Sequence, residues 1–169
     1  MTVRPIRLYP DPVLKRVAPT VDLVTQHDQA SRVVRDLLDT LQSFGHSVGL
    51  AAPQLGELTR VVVVDCSKHR KARVNHGLLT LINPEIVEQS GNEVGREGCL
   101  SIPDLTANVR RSTRIIVTAT DLLNNRIRIE SEGFEARAIQ HEIDHLDGVL
   151  FLDRVASLDH DVFQRKRYS

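Results

Sequence analysis

Aromatic side chains are scarce in this chain: its 169 residues include no tryptophan, two tyrosines and four phenylalanines. A core built from it cannot rest on stacked rings and must be assembled from Val, Leu, Ile and Ala. An excess of either charge is missing too, since 22 Lys and Arg stand against 22 Asp and Glu. No overall field draws the chain to nucleic acid or to an anionic membrane, and specific DNA binding is not expected. Nor does any apolar run approach the ~20 residues that cross a bilayer. The opening residues, Met1 to Arg7, lack the apolar h-region of a signal peptide, so a cytoplasmic location is expected. There are only two cysteines, Cys66 and Cys99. A reducing compartment argues against a structural disulfide between them, and each requires its own explanation. With no internal repeat, linker or low-complexity segment, residues 1–169 read as one domain with room for a real core.

What is present falls into recognisable elements. Pro5, Pro10, Pro12 and Pro19 predict an extended, turn-rich lead-in. From Asp28 to Phe44, Val33, Val34, Leu37, Leu38 and Leu41 recur at helical spacing, with Gly45 as the expected stop. A loop of small residues, Ser47 to Gly56, leads to Arg60–Asp65, where four consecutive valines predict a strand buried on both faces. Cys66 after it reads as a small buried apolar residue. Residues 67–77 read as an exposed basic loop. Leu78 to Val87 reads as a strand interrupted at Asn83-Pro84, hence an edge strand or a bulge. Gly91-Asn92 is a turn signal. Arg114–Thr120 and Arg126–Glu130 alternate as a hairpin about Asn124-Asn125. Gly133 precedes a helix over Phe134–Leu146 that Gly148 ends. A helix, then strands with hairpins, then a helix predicts an α+β fold, with small antiparallel or mixed sheets packed around a central helix.

The chemistry concentrates in that last helix, in Gln140-His141-Glu142-Ile143-Asp144-His145. Residues i and i+4 share a helical face, so His141 and His145 are placed to grip one metal ion with Glu142 beside it. This is the H-E-x-x-H pattern, in which histidines ligate and glutamate moves protons. A catalytic site of this kind needs a third protein ligand and one open position. Cys99, Asp144, Asp147 and the other histidines are the candidates. Asp144 lies off the shared histidine face and suits a supporting position. Cys99, in the glycine-flanked stretch Glu97-Gly98-Cys99-Leu100-Ser101, is favoured because a thiolate ligand explains a cysteine there better than packing does.

Three stretches together carry a family likeness. Gly49-Leu50-Ala51-Ala52-Pro53-Gln54, Glu97-Gly98-Cys99-Leu100-Ser101 and Gln140-His141-Glu142-Ile143-Asp144-His145 resemble, in order and spacing, the signature stretches of the peptide deformylases. Pro10-Asp11-Pro12-Val13-Leu14, Asn83-Pro84-Glu85 and Gly148-Val149-Leu150-Phe151 extend the likeness to about Arg154. Two positions depart from the family pattern: Ser47, where a glycine usually opens the first signature, and Asn124, where the hairpin turn often has glycine.

The resemblance implies a metal-dependent hydrolase that removes the N-formyl group from the formylmethionine of nascent polypeptides, releasing formate. It makes Cys99, His141 and His145 the metal ligands and Glu142 the general base, then acid. The Gln54 amide and the Leu100 N–H are implied as donors to the oxyanion. It also implies one divalent ion, physiologically Fe²⁺, while the donor set equally suits Zn²⁺, Ni²⁺ or Co²⁺. Gly49 is expected to expose backbone to a peptide lying alongside. Val48, Phe134 and Ala138 are the candidates for the methionine pocket, Phe134 and Ala138 lying on the helical face of His141. Arg111 is expected to pair with Asp144 and, with Glu97, to support the metal helix. The basic tail Arg165-Lys166-Arg167 is a candidate ribosome contact, the alternative being a solvated helix end. An H-E-x-x-H metallopeptidase is the rival function, but only 24 residues follow His145 to supply a further ligand, with His160 the sole histidine among them.

Overall fold

The structure is a computed structural model that describes residues 2–166. Its first helix, α1 (His27–Ser43), buries Ala30, Val33, Val34, Leu37 and Leu41 along one stripe. It ends at Phe44 without the left-handed glycine cap expected of Gly45. Three strands follow: β1 (Gly49–Ala51), β2 (Val61–Asp65) and β3 (Leu78–Ser90). Next come β4 (Glu93–Cys99), β5 (Ile102–Arg111), β6 (Arg114–Thr120) and β7 (Arg126–Glu132). The chain then enters α2 (Gly133–Leu146), and short α3 (Leu158–Asp161) leads into β8 (Val162–Gln164).

The strands form two antiparallel sheets, one ordered β1-β2-β3-β6-β7 and the other β4-β5-β8. The valine run explains how the larger sheet is covered. Val62 and Val64 face α2, packing with Leu81, Ile115 and Val117 against Ile139, Ile143 and Leu146. Val61 and Val63 face α1 with Leu50 and Ile82, against Val33, Leu37 and Leu41. Because side chains alternate along a strand, four apolar residues in a row satisfy two cores at once. The α+β class expected from the element order is what the chain adopts.

The structure decides between the alternatives of one reading and corrects another. The bulge expected at Asn83-Pro84 is present as a register shift between Ile82 and Glu85, but β3 is central rather than an edge strand, lying between β2 and β6. Asn83 adopts positive φ, and its side-chain amide exchanges two hydrogen bonds with the Val21 backbone, which anchors the lead-in. The tail is no helix end: Val162–Gln164 pairs with Leu105–Ala107. Arg167 and Tyr168 lie outside the described residues.

The second sheet folds over a separate apolar cluster of Leu14, Cys99, Ile102, Ala107, Val109, Leu150 and Phe151. Gly148 ends the loop after α2 with φ +69, and a side chain there would meet the Lys15 carbonyl. The lead-in is thereby locked against the end of α2.

Candidate metal centre

The two halves of the site come from different layers. His141 and His145 lie one helical turn apart on α2, and Cys99 ends β4. Cys99 Sγ lies 3.3 Å from His145 Nε2. One ligand atom from each of Cys99, His141 and His145 falls within 4.8 Å of the others. The two aspartate candidates for third ligand are engaged elsewhere: Asp144 is paired with Arg111 and Arg154, and Asp147 with Arg60.

The chemistry of the cluster fits a divalent cation. Burial alone would raise the Cys99 thiol, yet His145 and His141 hold it well below the ordinary thiol value, so the thiolate is favoured. His141, which burial alone would lower, is raised well above an ordinary imidazole by its bonds to Cys99 and Glu97. The sulfur and the His141 imidazole therefore favour opposite charges, the pattern of a donor set that Cys99, His141 and His145 would offer to a divalent ion. His141 Nδ1 is hydrogen-bonded to Glu97 Oε2 at 2.9 Å, which turns Nε2 toward the cluster.

Glu97 is the hub of the supporting network. Arg111 donates to it twice, at 2.9 and 3.0 Å, and Arg137 donates at 2.9 Å. Burial would raise its pKa, but the bonds from His141 and Arg111 hold it well below the usual carboxylate range. Arg111 also reaches Asp144, which Arg154 grips with two donors. The expected Arg111–Asp144 pair and the supporting position of Glu97 are therefore both present. Arg137 and Arg154 were not foreseen, since no local pattern separates them from surface arginines.

Glu142 lies on α2 between the ligands, 5% exposed, and its Oε2 has no hydrogen-bond partner among the described residues. Burial pushes its pKa up to about 7 against the opposing pull of His141 and His145. Gly49 on edge strand β1 packs directly against it, and a Cβ built there would lie 2.5 Å from Glu142 Oε1. Gln54 combines two duties. Its Oε1 accepts from Ala51 N at 3.0 Å, while its Nε2 donates to Ser101 Oγ at 3.1 Å and to Cys99 Sγ at 3.4 Å.

These groups line a cavity of about 800 Å³ that also takes in Val48, Leu100, Phe134 and Ala138. Sequence reasoning missed His69, which stacks on Phe134 with centroids 3.9 Å apart and extends that apolar wall. His76, from the same loop, bonds to buried Glu135. The 67–77 segment is therefore not merely a solvated loop. No residue near either histidine in sequence signals these pairings.

Comparison with known proteins gives a consistent result. A sequence profile described as Polypeptide deformylase matches residues 3–161. A peptide deformylase of Thermodesulfovibrio yellowstonii is 40% identical over 166 residues, covering 98% of this chain and 97% of that protein. One from Thermomicrobium roseum is 44% identical over 156 residues, covering 92% and 87%. Among solved structures, the peptide deformylase of Thermotoga maritima superposes with a TM-score of 0.82 at 35% identity, covering 93% of this chain and all of that one. That of Thermus thermophilus gives 0.79 at 41% identity, covering 90% and 86%.

Proposed function

Since the chain belongs to the polypeptide deformylase family, we propose that Cys99, His141 and His145 hold one divalent metal ion and that Glu142 moves protons beside it. The enzyme is a metal-dependent hydrolase that removes the N-formyl group from the formylmethionine of nascent polypeptides, releasing formate. The observation that carries the residue assignment is the convergence of one thiol and two imidazoles within 4.8 Å, with a buried carboxylate between the two histidines in sequence whose Oε2 has no hydrogen-bond partner among the described residues.

When bound, the ion supplies Lewis acidity, acidifying water and drawing charge from the formyl oxygen. The remaining work falls to side chains and backbone. Glu142 takes the proton of the attacking water and returns it to the departing amine nitrogen. A carboxylate raised to about 7 suits both directions of transfer. The Gln54 Nε2, once its long 3.4 Å bond to Cys99 Sγ is given up, and the Leu100 backbone N–H support the developing oxyanion, and a donor of this type is worth ~3–4 kcal/mol. Ser101 and the Ala51 N–H hold the Gln54 amide in one orientation. Val48, Phe134 and Ala138 take the methionine side chain. The outer edge of β1, at Gly49, offers main-chain groups to an extended peptide.

Fe²⁺ is the proposed physiological ion, with Zn²⁺, Ni²⁺ or Co²⁺ able to replace it, as a mixed thiolate–imidazole set allows. The working location is the cytoplasm. A ribosome contact through Arg165, Lys166 and Arg167 rests on their charge. Co-sedimentation of a chain ending at Gln164 tests it, with loss of pelleting expected.

Anaerobic purification followed by metal analysis and formate release from formyl-Met-Ala-Ser tests the whole reading. One ion per chain and turnover are expected. Glu142→Ala should keep the ion and lose ~10²–10⁴-fold in rate. A Glu142→Ala protein within about tenfold of the parental rate, or a Cys99→Ala protein with undiminished metal content, refutes the residue assignment.

A further inference from the structure

The outer wall of the cavity is basic, and nothing in the reaction above uses that charge. Lys71, Arg96, Arg165 and Lys166 line it, while the only carboxylates among the described lining residues are Glu97 and Glu142. Glu97 is saturated by Arg111, Arg137 and His141, and Glu142 is buried against Gly49. Among the described residues, none of the four rim cations is in an ion pair with a carboxylate. The chain as a whole is neutral, so this is a local asymmetry.

The rim is built by the fold. Strand β8 docks on β5, and the Arg165 N–H bonds to the Asp104 carbonyl at 2.8 Å, which brings the tail back over the site. The Arg165 guanidinium then lies against Gly98, where a Cβ would fall 2.2 Å from Nη2, one residue from Cys99. Arg96 is held by Thr106 and Asn108, and it lies 3.6 Å over the Phe163 ring. β8 therefore braces one cation and leads directly into another.

We propose that this rim selects nascent peptides with acidic side chains in the residues that follow the formylmethionine. The proposal rests on the cavity being the formylmethionyl-peptide site. An extended peptide advances about 3.3 Å per residue. Its first side chain fills the apolar pocket, and the next few pass the rim. A peptide is favoured over RNA because the four cations line the same cavity as Cys99, His141 and Glu142 rather than a separate outer face.

Three peptide amides test this by kcat/KM at low ionic strength: formyl-Met-Ala-Asp-Glu, formyl-Met-Ala-Ser-Ser and formyl-Met-Ala-Lys-Lys. An exposed contact between opposite charges is worth roughly 1.5- to 5-fold. The acidic peptide should therefore exceed the basic one by about 5-fold or more, with the neutral one between them. At about 0.5 M salt the difference should fall within about twofold, because exposed charges are screened. Arg165→Glu combined with Lys166→Glu should reverse the order. Lys71→Glu, on a different loop, should move the ratio the same way, which guards against a misfolded tail. Three equal rates at low salt, or an order that charge reversal leaves untouched, overturn the proposal. Altered ribosome pelleting of the reversed protein with an unchanged peptide order overturns it in favour of a nucleic-acid surface. Failure of all three peptides to turn over would instead overturn the reading of the site itself.

Discussion

A single methyl group at residue 49 should disable this enzyme while leaving its metal in place. A Cβ at Gly49 would lie 2.5 Å from Glu142 Oε1, 2.8 Å from Cγ and 2.9 Å from Cδ. Ordinary carbon–carbon contacts lie near 3.5–4.0 Å, so two Glu142 carbons are too close by roughly 0.6–1 Å. Neither partner backbone can retreat. Leu50 and Ala51 are fully buried, β1 is held to β2 at Gly49, Leu50 and Ala51, and α2 is wedged on the sheet by Ile139, Ile143 and Leu146. The carboxylate must therefore swing by about 1 Å. A misplacement of that size costs about 10²-fold in rate. The ~10²–10⁴-fold that proton transfer contributes sets the ceiling. Overpacking should also cost ~1–3 kcal/mol of stability. Formate release measured together with metal content and a thermal melt separates these effects. The expected result is kcat down about 100-fold with one ion per chain retained. In a Glu142→Ala background, Gly49→Ala should cost nothing further, since the two changes act through one carboxylate. A Gly49→Ala enzyme within about threefold of the parent would refute the argument, as would a full additional loss in the Glu142→Ala background.

The supporting network, the pocket wall and the two thiols give further expectations. Arg111→Ala removes donors from both Glu97 and Asp144 and should weaken metal affinity ~10–100-fold, measured by competition with a chelator; unchanged affinity would show that Arg111 does not orient the helix. His69→Ala removes the ring stacked on Phe134 and should raise KM for formyl-Met-Ala-Ser about 2- to 12-fold with kcat little changed, as expected for an aromatic pair worth ~0.5–1.5 kcal/mol. Burial pushes the Cys66 thiol up to about 12, so below that pH it stays protonated; iodoacetamide at pH 7.5 should leave it unlabelled in the folded protein. Cys99, whose thiolate is favoured, should become labelled once a chelator has removed the metal and not before, as peptide mapping would show.

The parts of the site that could be read in advance are those with local spacing. His141, Glu142 and His145 follow from one turn of helix, and Cys99 from its glycine-flanked stretch. The two-faced burial of β2 was legible because four valines in a row leave no polar face. Asn124 replaces a glycine and still takes φ +64, as an Asn can in a turn. Strand β5 was missed even though Leu105, Ala107 and Val109 alternate with Thr106, Asn108 and Arg110. The alternation ends inward on Arg111, a buried charge that masks the pattern. The His69–Phe134 stack and the β5–β8 pairing join residues more than 50 positions apart with no local mark. The departure at Ser47 has a local consequence, its hydroxyl donating to the Gly49 carbonyl at 3.2 Å on the strand edge proposed for the substrate.

These buried charges also account for why so much arginine sits behind so small a site. Two carboxylates, Glu97 and Asp144, are buried behind the ligand cluster, and burial alone would raise the pKa of Glu97. Arg111, Arg137 and Arg154 offset them with guanidinium groups. That leaves Glu97 ionised and able to accept from His141 Nδ1, which fixes the ring with Nε2 toward Cys99. Glu142 receives no such compensation, and its carboxyl is the one pushed into the range where it can both take and give a proton. The same helix thus carries an acid gripped by two arginines, Asp144, and two residues before it an acid left free to titrate. The difference between them lies in which one the arginines reach.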